Sequence, residues 1–517
     1  MQSSRTHNYV LGLATGYLVT AATVAVGFWL TPFTLRILDR EQFGIFTLAL
    51  DVITWLTLLD FGISSALRVQ AAQISDGTNP QKLNSLASTA FFAECGVVLL
   101  ALTAGATLAL LFPHLFPIRP ELHKETILLC LLLVLGLALS LSTQTFSALL
   151  VAHQQIHLDN AINLLNLVLR TVLTVVLLKQ GWGICSLGIA NLAARLVSAS
   201  LAVVRTFRLL PGLQLRFKLV SWGVLKTSGG IGLWLTLGGF AGVLLNSLDR
   251  IMVGKLSAVA MVVTLTLTDR LYVLARTLIA PLTNTARPMM AQLLGQHQHA
   301  ACLRVHHSLF VISTGTSIVC SAAIWSGNKQ FVSWWVGDQN YGGWLLDAVL
   351  GARLFLTCWT LPHRAALVAG LYALRAHATS YFIEGIVCLA VACFLGRSYG
   401  LPGVAASFVI AALLVSCWYL PYLTGKMLKE PWVKLVRKDA GSMLLLLLLI
   451  IPVALCGRWI AETCGGLVGA LFGGSFSATL GLLLLWPCLD LQSRRLVLDR
   501  ILAKGFPLIG KASLARK

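Results

Sequence analysis

Six arginines interrupt the apolar stretches of this chain: Arg170, Arg195, Arg270, Arg276, Arg353 and Arg364. A guanidinium keeps its charge at any reachable pH and presents its donors in a rigid fork. Near the middle of a bilayer, each one costs at least ~2.5–3.5 kcal/mol on insertion scales. Such a cost is tolerable where the charges line a wet cavity or meet a partner. A cationic cavity within a membrane protein points to the passage of something negatively charged.

Helical periodicity organises these charges. Asn163, Asn166, Arg170 and Thr174 share one helical face, and so do Asn191, Arg195 and Ser198. Asp269, Tyr272 and Arg276 form a third stripe, continued by Thr283. Arg353, Thr357, Thr360 and Arg364 form a fourth, which Pro362 bends. The alternative is that each arginine neutralises an intramembrane acid. Asp51, Glu94, Asp269 and Glu384 are the candidates, and they leave a surplus of cations. The same four acids are candidates for ion coupling, because a carboxylate in a cavity can exchange a proton as the cavity changes sides. Thr47 and Thr54 share a face with Asp51 and could help it hold sodium.

The elements that position these residues follow from composition. The chain is 57% hydrophobic and 11% charged, with a mean hydropathy of +0.82. About fourteen apolar spans approach the length needed to cross a bilayer. They are approximately 10–31, 43–67, 86–112, 125–151, 161–178, 184–204, 228–248, 256–286, 309–325, 346–370, 379–396, 402–425, 440–457 and 467–489. The expected fold is therefore all-α and polytopic. The longest polar stretches, 205–227 and 490–517, are too short for a separate catalytic domain. Lys and Arg concentrate in the segments that a cytoplasmic N-terminus places inside. Both termini are thus expected in the cytoplasm of a multi-pass protein.

A division follows from the basic stretch: a six-helix bundle over 1–204, a cytoplasmic linker at 205–227, a second bundle over 228–425, and two appended helices with a basic tail over 426–517. Leu35-Arg36-Ile37 and Asp249-Arg250-Ile251 occupy matching places in the two halves, which is weak support for a repeat. Pro281, Pro362, Pro421 and Pro452 fall within or at the ends of spans, where kinks are tolerated.

The net charge of +20 needs no nucleic acid to explain it. Arg205, Arg208, Arg216, Lys218 and Lys226 form one juxtamembrane cluster, and Lys426, Lys429, Lys434, Arg437 and Lys438 form another. Both suit anionic lipid headgroups. The first apolar run is longer than a signal-peptide core and reads as the first span. The twelve cysteines lack CxxC spacing and read as small apolar residues, so no metal or cofactor is expected. His297, His299, His306 and His307 have no spaced Cys or carboxylate and read as a solvated loop. Ser-centred elbow, P-loop and HExxH patterns are missing from the sequence, so the chain is not read as an enzyme. The stretch 326–345 reads as an outer loop whose Trp334, Trp335 and Trp344 are interfacial anchors.

Several local motifs carry a family resemblance. Pro32, Leu35-Arg36-Ile37-Leu38, Phe43-Gly44-Ile45-Phe46 and Leu58-Leu59-Asp60-Phe61-Gly62-Ile63 resemble the opening of polysaccharide flippases. These belong to the multidrug/oligosaccharidyl-lipid/polysaccharide flippase superfamily. Leu248-Asp249-Arg250-Ile251-Met252-Val253-Gly254 resembles that family's start of a second half, and Pro288 ahead of Ala291-Gln292 resembles the close of its eighth span. The usual Gly-x-Tyr is missing around Ala260-Met261-Val262, and Ala152-His153-Gln154-Gln155 lacks the usual Gly and basic residue. The resemblance implies two six-helix bundles around a central cavity, two further helices, and alternating access. It also implies transfer of a polyprenyl-pyrophosphate-linked oligosaccharide from the cytoplasmic to the outer leaflet of a bacterial inner membrane. Polysaccharide polymerases or glycosyltransferases are the partners it would bring. The alternatives are a cation-coupled multidrug exporter, which would want an acidic cavity, and a membrane polymerase or ligase acting on lipid-linked sugars.

Overall fold

The computed structural model describes residues 2–60, 80–221 and 247–488, and between them positions 63, 67, 71, 237–239, 241–243 and 245. Most of the expected span at 228–248 and the basic tail 490–517 lie outside the described residues, as do Lys226 and Phe61-Gly62. Among the described residues the regular structure is helical throughout, and eleven helices are long and apolar enough to cross a membrane. That is the polytopic all-α class expected from composition.

The chain forms two compact units, residues 1–263 and 264–517. The first contains α1 (Gln2–Ile37), α2 (Arg40–Trp55), α3 (Pro80–Leu115), α4 (His123–Ala152), α5 (Ile156–Lys179) and α6 (Cys185–Leu209). A helical stretch at 247–256 and the start of α7 (Val259–Thr268) complete it. Asp39 caps α2 by accepting from the Gln42 amide while the Gln42 side chain accepts from the Asp39 amide. Neighbouring helices are tied by isolated polar contacts, as expected where lipid removes the hydrophobic drive for helix association. Asn160 of α5 donates to the Gly12 carbonyl and the Thr15 hydroxyl of α1, both at 2.9 Å. Ser147 of α4 donates to Asp159 of α5 at 2.5 Å. The described part of the basic stretch is fastened to α3: Asn84 bonds Gly212 and Gln214, and the Ser221 amide donates to Thr89 at 3.0 Å.

Residues 247–263 pack on α2, which is why they belong to the first unit. Trp55 donates to Ser247 at 2.6 Å. Gly44 is obligatory in this contact, since a Cβ there would lie 2.4 Å from the Val259 carbonyl oxygen.

The second unit contains the end of α7, then α8 (Arg270–Asn284), α9 (Arg287–Gly295), α10 (His299–Val336), α11 (Trp344–Ala369), α12 (Leu374–Leu414), α13 (Ser416–Leu428), α14 (Trp432–Cys464) and α15 (Gly466–Cys488). Phe310, Ile318 and Val319 of α10 pack with Met443, Leu446 and Ile450 of α14 and Leu485 of α15. Ser326 of α10 donates to the Ala454 carbonyl of α14 at 3.0 Å and meets Ser477 of α15 at 2.7 Å. Pro281, Pro362, Pro421 and Pro452 all lie inside helices.

Four expectations change in the structure. The span at 256–286 divides into α7 and α8, which meet at the single turn residue Asp269. The Thr268 carbonyl accepts from the Asn328 side chain of α10 at 3.0 Å, which supplies a partner where the helix is interrupted. The expected outer loop 326–345 shrinks to 337–343, because α10 continues to Val336. The histidine loop is wrong for His306: α10 already begins at His299, and His306 is fully buried. Two expected spans, 379–396 and 402–425, are joined in a helical run from Leu374 to Leu428. They separate at Gly400, whose φ of 61° turns the chain between them.

Candidate functional site

In the first unit, α5 and α6 bring Arg170 and Arg195 together. The antiparallel register is fixed one turn away, where Asn166 donates to the Ser198 hydroxyl at 2.7 Å. Arg170 stands four residues after Asn166, and Arg195 three residues before Ser198, so both fall on the same side of the contact. Each is half-buried, and they are close enough for their charges to act on one another. Among the described residues neither guanidinium has an ion-pair or hydrogen-bond partner. Asn191, one turn before Arg195, lies against α4, where a Cβ on Gly136 would come within 2.7 Å of its amide nitrogen. Thr174 is buried on the Arg170 stripe. Asn163 lies on the exposed side of α5 and bonds Asp159 at 3.3 Å.

Two like charges side by side inside apolar helices repel, and each loses part of its hydration. The arrangement is favourable when an anion lies between them. Two guanidinium forks give paired, charge-assisted donors suited to phosphate or carboxylate oxygens.

The other four arginines lie in the second unit and differ in use. Arg364 is buried on α11 and donates to Glu384 of α12 at 3.0 Å and to the Ser416 hydroxyl of α13 at 3.0 Å. Its guanidinium stacks on the Tyr381 ring at 3.4 Å. Arg364 and Glu384 thus serve one another, as the alternative of internal neutralisation required. Arg353 is also buried, with its guanidinium 4.8 Å from the centre of the Phe408 ring on α12. Thr357 follows one turn later, half-buried. Arg270 and Arg276 are half-buried on α8, and Tyr272 between them is buried.

The acids divide in the same way. Asp51 of α2 accepts two hydrogen bonds from Arg250, at 2.5 and 2.9 Å. Glu94 of α3 is buried and accepts from the Thr145 amide and hydroxyl of α4, at 3.1 and 2.6 Å. Asp269 sits at the break between α7 and α8 and is buried.

One buried acid was missed by sequence reasoning. Asp347 falls within the expected span 346–370, so it met the criterion by which the other four were chosen. It is fully buried, as are Asn328 and Asn340 nearby in sequence. Among the described residues no group of three or more His, Cys, Asp or Glu could hold a metal. The cysteines are unpaired thiols. His306 and His363 meet at 3.1 Å, a pair without a third ligand.

Helices arranged in this way form the fold of the MOP superfamily of membrane transporters. An inward-facing multidrug resistance MATE family transporter of that superfamily superposes with a TM-score of 0.64 at 14% identity, covering 81% of this chain and 99% of the other. The lipid II flippase MurJ, in an inward closed conformation, gives 0.61 at 13% identity, covering 93% and 100%. A MOP superfamily transporter from Pyrococcus furiosus, described as having a binding pocket of reverse polarity, gives 0.57 at 14%, covering 82% and 95%. Among curated protein sequences none matches this chain. The model of the polysaccharide biosynthesis protein family matches residues 12–294, and the chain belongs to that family.

Proposed function

We propose that the protein is a flippase, not an enzyme, that moves a lipid-linked oligosaccharide from the cytoplasmic to the outer leaflet of a bacterial inner membrane. Membership of a polysaccharide biosynthesis family supplies the process, and the fold of membrane transporters supplies the class. The observation that carries the cargo is the adjacent pair Arg170 and Arg195, which meets no carboxylate among the described residues. A polyprenyl pyrophosphate brings the negative charge such a pair lacks. On this reading Asn191, Asn166 and Thr174 contribute the polar surroundings, Arg276 and Tyr272 are cationic and polar groups of the second unit, and alternating access exposes the arginine pair to each leaflet in turn. Glycosyltransferases and a polysaccharide polymerase would act before and after the transfer. Both termini lie in the cytoplasm, and the juxtamembrane lysines and arginines meet anionic lipids.

The test replaces Arg170, Arg195 and Arg276 singly by Ala and measures surface polysaccharide at matched expression. Export should fall in the first two variants, and Lys should rescue in part. Normal export in every variant removes the reading. Altered drug sensitivity with intact polysaccharide would favour a drug exporter instead.

A further inference from the structure

The second unit holds a buried carboxylate of a different kind. Asp347, near the start of α11, is fully buried. Its Oδ1 accepts from the Asn328 side chain of α10 at 2.6 Å, and its Oδ2 from the Tyr341 hydroxyl at 2.8 Å. No Lys, Arg or His among the described residues lies within ion-pair distance of it. Asp51 and Glu384 each hold an arginine, so Asp347 stands apart from both.

The rest of the surroundings is neutral or already engaged. The Tyr272 hydroxyl of α8 is buried beside the same carboxylate, acts on it as a further hydrogen-bonding group, and reaches no other partner among the described residues. Asn328 is tied down through its second N–H, which donates to the Thr268 carbonyl at the break between α7 and α8. The Thr268 hydroxyl in turn accepts from the Gly342 amide at 3.0 Å. Other charged groups that act on this cluster are Arg458 and Glu462 of α14, together with Asp269. Arg458 pairs with Glu462 at 3.0 Å and stacks on Trp325 at 4.9 Å. A cavity of about 330 Å³ between α10, α11 and α14 also reaches Asp347.

From this geometry we infer that Asp347 is a proton-binding site, loaded and emptied as the protein changes conformation. A charge enclosed by neutral groups is expensive unless it is paired or neutralised. Here a proton can neutralise it in place. The carboxyl O–H that forms can donate to the Tyr272 oxygen, which is buried beside it. The proton comes from water on one side of the membrane and returns to water on the other, and no covalent bond besides O–H forms or breaks. Sodium fits less well, because it needs several oxygen lone pairs converging on one point. Both Asp347 oxygens and the Thr268 carbonyl are instead occupied by N–H and O–H donors.

The inference rests on the transport reading for its purpose, and its test separates the two. Infrared difference spectra of the purified full chain in proteoliposomes, titrated with pH, should contain the carbonyl stretch of a buried protonated carboxylic acid. That band should be missing in Asp347→Asn and shifted in Asp347→Glu. In cells, Asp347→Asn should lose polysaccharide export at matched expression. Identical spectra for wild type and Asp347→Asn overturn the proton site, and so does normal export in that variant. A spectral change driven by sodium, independent of pH and dependent on Asp347, overturns it in favour of sodium. If Asp347→Asn does not fold, an unshifted band in Asp347→Glu is the overturning result. Export lost in Arg170→Ala but normal in Asp347→Asn leaves transport standing without the proton site.

Discussion

Arg364 and Glu384 face each other at 3.0 Å in the interior of the second unit, twenty residues apart in sequence. Each neutralises the other where water is scarce. Removing one partner leaves an uncompensated charge, which costs about 3–5 kcal/mol, whereas replacing both by apolar groups is often nearly neutral. Glu384→Leu and Arg364→Leu should each sharply lower the thermal midpoint of the purified protein. The double variant should recover most of the loss. A double variant as unstable as the worse single one would show that the pair is not the stabilising unit.

Asp51 and Arg250 make a two-point contact between α2 and residues 247–256, 199 residues apart in sequence. A bidentate carboxylate–guanidinium pair fixes orientation as well as charge. Arg250→Lys keeps the charge but loses the fork and should reduce polysaccharide export. Asp51→Ala should reduce it further. Equal export in wild type and Arg250→Lys would mean that charge alone suffices there.

Asn166 and Ser198 set the register that brings Arg170 beside Arg195. Interhelical hydrogen bonds of this sort contribute about 0.6 kcal/mol on average and about 1.7 at most. Asn166→Ala should therefore cost little stability but weaken export through misplaced guanidinium groups. Circular dichroism melting and export at matched expression separate the two effects. A large loss of melting temperature with unimpaired export would contradict this role.

Tyr341 lies in the short connection between α10 and α11. Burial, first, and then the adjacent Asp347 push its hydroxyl well above the usual phenol range. A group whose folded value is raised contributes stability that is complete below its unfolded value, about 10 for tyrosine, and is lost as pH rises beyond it. The thermal midpoint of wild type should thus fall above about pH 10 more steeply than that of Tyr341→Phe. Parallel curves would rule out the Tyr341 contribution.

Much of the architecture was legible in the linear pattern. Apolar run length located α5, α6, α11 and α15 to within about five residues and found the middles of α1 and α14, because a lipid-spanning helix must be apolar along its membrane-crossing length. The stripe Asn166–Arg170–Thr174 and its neighbour Asn191–Arg195–Ser198 were likewise readable, because i, i+3 and i+4 spacing alone fixes a helical face. His306 was misjudged because hydropathy cannot mark a polar residue buried by contacts from other helices. Here His363 of α11 and Thr424 of α13 form those contacts. The continuation of α10 past the apolar core was hidden for the same reason: Ser326 and Asn328 find partners on other helices.

The sequence by itself determined that the chain is a many-span helical membrane protein, which of its segments are apolar, and that arginines outnumber the acids among them. Only the tertiary structure decided which charges are spent on each other. Arg364 found Glu384 and Arg250 found Asp51, whereas Arg170 and Arg195 found one another. Span identity is a local average over about twenty residues. Charge pairing depends on which helix faces approach within a few ångströms, and those faces are brought together from positions up to 199 residues apart.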